Sequence, residues 1–119
     1  MKNRIIKCFS HYPAKILSCI DDGGCVCTND ERIYNYIKEA RNHFKTNNED
    51  MGGNYRLGEI RACWLSIRLK YIDEILARRK EIAETYLREL RELEEQELIK
   101  LPNNQFDRSW QDFIIQVLE

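Results

Sequence analysis

Residues Cys8–Glu31 read CFSHYPAKILSCIDDGGCVCTNDE, and the fold turns on how this stretch divides. Ile5–Phe9 just overlaps its start and is short, apolar and β-prone, which predicts a strand. Ser10–Asp22 carries Pro13 and mixed polarity, which predicts a loop. Gly23-Gly24 is a turn signal, and Cys25-Val26-Cys27 predicts a second short strand. Thr28 is followed three residues later by Glu31, the spacing of a capping box that satisfies free N–H groups at a helix start. The spacing predicts a helix over about 30–42, with Ile33, Tyr36, Ile37 and Ala40 on one face.

Outward from there, Thr46–Gly53 is polar and glycine-rich and predicts a loop. A helix is expected from Gly58 to Lys70, and a longer one from Ile72 to Glu97. Ile72, Ile75, Leu76, Ala83, Tyr86, Leu87, Leu90 and Leu93 form the apolar face of the longer helix. Glu74–Arg78 and Glu84–Arg88 have the spacing of i,i+4 pairs, worth about 0.3–0.5 kcal/mol each. Leu101–Asn104 breaks the pattern, and Phe113–Leu118 predicts a final strand. The class is α/β: helix-rich, with short strands at both ends.

The chain has 119 residues, 43% hydrophobic and 33% charged, with a net charge of −1. That size suits one ordinary domain. Near-neutral charge gives no reason to expect nucleic acid or an anionic membrane as partner. No apolar run approaches a membrane span, and the start lacks the apolar core of a signal peptide. These readings place the protein in the cytoplasm. The five cysteines, Cys8, Cys19, Cys25, Cys27 and Cys63, are an odd number and cannot all pair. A metal site from His11, Cys19, Cys25 and Cys27 is the sharpest alternative. Cys25 and Cys27, however, are spaced C-x-C on one side of a strand, not in a C-x-x-C clamp, so buried reduced thiols are expected instead.

The stretch around Lys15 resembles the lysine segment of the DegT/DnrJ/StrS family of pyridoxal-phosphate-dependent sugar aminotransferases. That family shows a pattern like S-F-x-P-x-K, then D/E-G-G, a short apolar strand and T-N-D/N-E. Ser10, Pro13, Lys15, Asp22, Gly23, Gly24, Thr28, Asn29, Asp30 and Glu31 fit it without a gap. Four further blocks follow in order. ARNHF at Ala40–Phe44 is similar to R-N-H-G. GGNYRLGEIRA at Gly52–Ala62 is similar to G-x-N-Y-R-x-x-E-x-Q-A. LKYIDEILARRKEIAETY at Leu69–Tyr86 and SWQDFIIQV at Ser109–Val117 resemble the interdomain helix and the W-x-x-F/Y-x-I-x-V segment. The departures are Ile16 for an asparagine, Phe44 for a glycine, Arg61 for a glutamine, and bulky Trp64 where small residues are usual.

The resemblance implies a fold-type-I (aspartate aminotransferase-like) enzyme with pyridoxal phosphate as cofactor. It makes Lys15 the amine that forms a Schiff base with the cofactor aldehyde and then carries a proton as general base and acid. It makes Ser10 a hydroxyl donor to the cofactor phosphate, and Asn54 a phosphate contact in the partner subunit of a homodimer. The implied reaction moves an amino group, usually from glutamate, to a nucleotide-linked keto-sugar. Read from spacing alone, Ser10 also suits a strand end that bonds nearby backbone. Asn54 likewise suits a turn after Gly52-Gly53. His11 is expected to pack beside the loop.

By the same resemblance, 1–57 is the end of the large cofactor-binding domain, and 58–119 holds interdomain helices and the start of the small C-terminal domain. A phosphate cup, a stacking aromatic ring and an acid against the pyridine nitrogen would lie upstream of Lys15. The expectation is therefore a truncated chain, inactive alone, that forms a homodimer or associates with a separate chain carrying the missing front half. Two rival readings differ in kind. One is a helical interaction module built on a coiled coil over 72–97. The other is nucleic-acid binding through Arg56, Arg61, Arg68, Lys70, Arg78, Arg79 and Lys80, which interleaved acids oppose.

Overall fold

A computed structural model describes residues 3–46, 51–103 and 107–119. They fall into two compact units, residues 1–67 and 68–119. The expected break at Leu101–Asn104 and loop at Thr46–Gly53 fall partly outside the described residues.

In the first unit, β1 (Ile6–Ser10) pairs antiparallel with β2 (Gly24–Thr28), from Ile6 opposite Thr28 to Ser10 opposite Gly24. β1 is shifted one residue along the chain from the expected Ile5–Phe9, β2 extends the expected Cys25–Cys27 by one residue at each end, and Gly24 belongs to β2 rather than to a turn. A Cβ on Gly24 would lie 2.9 Å from the Phe9 carbonyl oxygen, so the strand pairing at that point excludes a side chain. Cys25 and Cys27 lie on one face of β2, opposite Phe9 and Lys7. The buried-thiol expectation fails for four of the five cysteines: only Cys19 is buried, and all five are free.

Helix α1 (Glu31–Ala40) is capped by Asp30, not by Thr28. Asp30 has extended backbone, and its carboxylate accepts from Arg32 N–H at 3.0 Å. Thr28 Oγ1 instead accepts from Asp30 N–H at 3.1 Å, one step upstream of the cap. Of the expected apolar face, Ile33, Ile37 and Ala40 are half-buried and Tyr36 is exposed. The helix ends where His43 and Phe44 take positive φ, 62° and 47°. A left-handed backbone costs a non-glycine residue of order 1 kcal/mol. Phe44 offsets that by burying its ring to 4% exposure, edge-on to Tyr36 at 5.3 Å.

Residues 52–55 fold back onto this helix end. Gly53 N–H donates to the Ala40 carbonyl at 3.0 Å, Tyr55 N–H donates to Arg41 at 2.9 Å, and Asn54 bridges Asn42. Gly52 lies so close that a Cβ would stand 2.5 Å from the Ala40 oxygen. Helix α2 (Glu59–Leu69) then begins one residue later than expected.

In the second unit, α3 (Ile72–Glu89) stops at Leu90 and a five-residue α4 (Arg91–Glu95) follows. The continuous helix to Glu97, and the coiled coil it offered, are thus replaced by a broken pair. Glu97 takes φ 59°, and Leu98 N–H reaches back to the Leu93 carbonyl, which terminates α4. Neither expected i,i+4 pair is the contact these arginines make: Arg78 pairs with Glu81 and Arg88 with Glu89. β3 (Ile99–Lys100), which the pattern did not predict, pairs antiparallel with β4 (Gln116–Val117). β4 is the central part of the strand expected over 113–118. Ala83, Ile99 and Trp110 are buried in this unit, at 2%, 8% and 8% exposure, with Phe113 between Trp110 and Tyr86 at 5.8 and 5.2 Å.

Candidate active site

Ser10 ends β1, and its neighbour His11 closes the root of the following loop. His11 N–H donates to the Gly23 carbonyl at 2.7 Å, and the His11 carbonyl accepts from Cys19 N–H at 2.7 Å. The ring is buried, with Nδ1 3.0 Å from the Leu17 carbonyl. A carbonyl can only accept, so Nδ1 carries the proton. His11 packs inside the loop, as expected, and is not offered to a ligand.

The loop carries Lys15 on a tight turn. Lys15 N–H donates to the Tyr12 carbonyl at 2.8 Å, with Pro13 at the second position, where its fixed φ suits the turn. The backbone of Lys15 is held while its side chain is exposed to solvent. Ser10 Oγ accepts from Tyr12 N–H at 3.4 Å, as a residue at a strand end does. That contact leaves its own O–H free to donate, since a hydroxyl does both.

The far side of the loop meets α2. Trp64 Nε1–H donates to the Ser18 carbonyl at 3.1 Å, Cys19 Sγ–H lies 3.9 Å from the Arg61 carbonyl, and the Arg61 guanidinium pairs with the Asp21 carboxylate. The Asp22 N–H and Arg61 hold the Asp21 carboxyl below the usual aspartate range. The pattern marked Arg61 and Trp64 as departures from the family, and Arg61 also as one of the basic residues of the nucleic-acid reading. Their contacts lie 40 to 46 residues away along the chain, and no local signal carries that.

Asn54 lies on a different segment, clasped against the end of α1. Its Oδ1 accepts from Arg56 Nε–H at 2.9 Å, so the amide nitrogen is turned to the other side. Ser10 and Lys15 thus share one loop, and Asn54 stands apart from it at the helix end. A separate groove of about 640 Å³ opens between the hairpin and α1, lined by Phe9, Val26, Tyr34, Ile37, Tyr55 and Leu57 among others. Ser10, Lys15 and Asn54 are not among its lining residues.

The metal alternative finds no support in the arrangement. Among the described residues no group of three or more His, Cys, Asp or Glu could hold an ion. Loss of solvent around its sulfur, then the nearby Cys27 and Cys8, push the Cys25 thiol up, which makes it a poorer ligand and nucleophile. The basic residues of the nucleic-acid reading are largely engaged. Arg61 pairs with Asp21, Arg78 with Glu81, and Arg79 donates to the Trp110 and Gln111 carbonyls.

Comparison with known proteins shows the family of the chain. The sequence model of the DegT/DnrJ/EryC1/StrS aminotransferase family matches residues 3–119. The chain is 39% identical over 85 residues to the dTDP-3-amino-3,4,6-trideoxy-alpha-D-glucose transaminase of Streptomyces venezuelae, covering 69% of this chain and 22% of that protein. It is 38% identical over 102 residues to the dTDP-3-amino-3,6-dideoxy-alpha-D-galactopyranose transaminase of Aneurinibacillus thermoaerophilus, covering 82% and 27%. The crystal structure of S. venezuelae DesV, solved with a ketimine intermediate, superposes with a TM-score of 0.81 at 34% identity, over 94% of this chain and 31% of DesV. The chain therefore spans about a fifth to a third of the length of these relatives. Its architecture is part of the fold-type-I pyridoxal phosphate fold. The chain belongs to the DegT/DnrJ/EryC1/StrS aminotransferase family.

Proposed function

We propose that this chain carries the lysine-bearing part of a pyridoxal-phosphate-dependent aminotransferase, which moves an amino group from an amino acid, glutamate by family resemblance, to a nucleotide-linked keto-sugar. The observation that carries this reading is the presentation of Lys15. Its backbone is fixed by a turn, its loop is closed at the root by His11, and its amine faces solvent where a carbonyl compound can reach it.

The residues present fit the cofactor. Lys15 offers a primary amine able to condense with an aldehyde, Ser10 a hydroxyl proton not spent on its backbone contact, and Asn54 an amide nitrogen oriented by Arg56. When bound, the pyridoxal ring supplies the electron sink for a carbanion. Ser10 Oγ–H would donate to the phosphate, and the Asn54 amide to the phosphate in the partner subunit of a homodimer. Lys15 Nζ would move a proton between the substrate carbon and the cofactor carbon on the other side of the shared nitrogen.

The matched span, under a third of DesV, motivates the next step of the proposal. We assign 1–57 to the end of a large cofactor-binding domain, and 58–119 to interdomain helices and the start of a small one. The phosphate cup, the stacking ring and the acid facing the pyridine nitrogen then come from further polypeptide, in the same or a separate chain. The 119 residues alone would hold cofactor poorly and turn over no substrate. A cytoplasmic setting is consistent with the five free cysteines. Among the described residues no helix is long and apolar enough to cross a membrane.

Incubation with pyridoxal phosphate, borohydride reduction and peptide mapping test the assignment. The expected outcome is a label concentrated on Lys15 and lost in Lys15→Ala. A label spread evenly over the lysines would remove Lys15 from the role.

A further inference from the structure

We propose that Arg61 and Trp64 on α2 are positioning residues that latch the Lys15 loop, so that α2 sets where the amine is presented. The proposal rests on the reading of Lys15 given above. Arg61 and Trp64 are three residues apart and so share one helix face. Together they make three contacts along four consecutive loop residues: the indole N–H to the Ser18 carbonyl at 3.1 Å, the Arg61 carbonyl to Cys19 Sγ at 3.9 Å, and the guanidinium to the Asp21 carboxylate.

These contacts differ in kind from those at the loop root. The bonds from His11 to Gly23, Cys19 and Leu17 close the loop upon itself and shape it. The contacts from Arg61 and Trp64 tie that shape to another element. Ser18 is only three residues from Lys15, so the tether spans at most about 10 Å of extended chain. A displacement at Ser18 is therefore passed to Lys15 with little slack. Asp21 stays ionised through the neutral range, held by the Asp22 N–H and by Arg61, so the charge pair is present under working conditions. Cys19, 3% exposed, seals the contact between them.

The test measures two things on each variant: amide hydrogen exchange across 12–22, and the share of borohydride-fixed pyridoxal phosphate found on Lys15. Arg61→Asp sets two carboxylates against each other. It is expected to speed loop exchange by up to about fivefold, the upper end of the scale for an exposed ion pair lost, and to move label from Lys15 to other lysines. Asp21→Arg should do the same. The double variant, Asp21→Arg with Arg61→Asp, should restore both readouts, and Arg61→Lys should retain most of them. Trp64→Phe keeps the ring and removes only the indole N–H, so it probes the second contact without emptying the helix face. Circular dichroism checks that each variant keeps its helices. Exchange and labelling unchanged in both Arg61→Asp and Trp64→Phe would overturn the latch, as would failure of the folded charge swap to rescue. Scattered labelling of the unmodified chain would refute the role of Lys15 instead, while the exchange comparison would still decide the latch.

Discussion

The hairpin of β1 and β2 and the cluster around α3 use apolar residues in opposite ways. In the hairpin, Ile6, Phe9 and Val26 keep 53%, 47% and 42% of their surface exposed. Around α3, Ala83 keeps 2% and Trp110 keeps 8%. Yet the hairpin is the regular structure, with five consecutive pairs, and the Trp110 segment has no regular secondary structure. In the first region order comes from backbone hydrogen bonds, extended through His11 into the Lys15 loop. In the second, irregular backbone is held by side chains: stacked rings, and Arg79 donating to the carbonyls of Trp110 and Gln111 at 3.0 and 3.2 Å. Regularity and burial are separate sources of order, and this chain separates them.

The sharpest way to break the comparison is to truncate one ring from each region. Trp110→Ala removes a buried, stacked ring and is expected to cost about 3–5 kcal/mol of the second unit's stability. Phe9→Ala removes a ring that is half in water and should cost no more than about 1 kcal/mol. Denaturant unfolding followed by near- and far-ultraviolet circular dichroism measures both. Equal losses would mean that the exposed hairpin face is covered in solution.

A smaller effect joins the two sources of order at one residue. Phe44 buries its ring, as Trp110 does, but at a φ of 47° where the resembling family has glycine. Phe44→Gly should lose the ring but relieve the backbone, a net cost of about 2 kcal/mol. Phe44→Ala loses the ring and keeps the strain, so it should be less stable than Phe44→Gly by about 1 kcal/mol. Alanine usually exceeds glycine in stability. Thermal unfolding of the two variants side by side gives the sign, and alanine above glycine would show that the left-handed turn is not strained.

Much of this fold was legible because hydrophobic period and turn residues are local signals. β1, β2, α1 and α2 lie within one or two residues of where periodicity put them. The misreadings have physical causes. Thr28, Asn29 and Asp30 are all good caps, and only backbone geometry selects Asp30. The helix over 72–97 breaks at Leu90 with neither glycine nor proline to announce it. β3 is two residues long, too short to show a period, and forms because β4 lies beside it. Surface ion pairs are weak enough that Arg78 and Arg88 take other partners than the i,i+4 ones. For the site, Lys15 and Ser10 stand out only through the motif that contains them. The partners of Arg61 and Trp64 depend on contacts no one-dimensional pattern records.

The smallest expected effect separates the two regions by pH. Asp30 caps α1 and meets Arg32 and Arg4, with Arg4 Nε 3.0 Å from its carboxylate. Hydrogen bonds from Arg32 come first among the influences that hold its carboxyl below the usual aspartate range. Asp21 is held low by the Asp22 N–H and Arg61. A carboxyl with a lowered folded pKa contributes stability above its unfolded value, about 3.9, and that contribution is lost as pH falls through the folded value. The hairpin, the Lys15 loop and the start of α1 should therefore loosen only below about pH 4. The Trp110 segment rests on ring stacking and on hydrogen bonds from Arg79 to backbone carbonyls, with no carboxylate in those contacts. The two tryptophans of the chain lie one in each region, so Trp110→Phe leaves Trp64 as sole reporter on the loop, and Trp64→Phe leaves Trp110. On acid titration the Trp64 emission should shift first. A shift above pH 5, or the two reporters moving together, would mean that the carboxylate contacts are not what distinguishes the first region from the second.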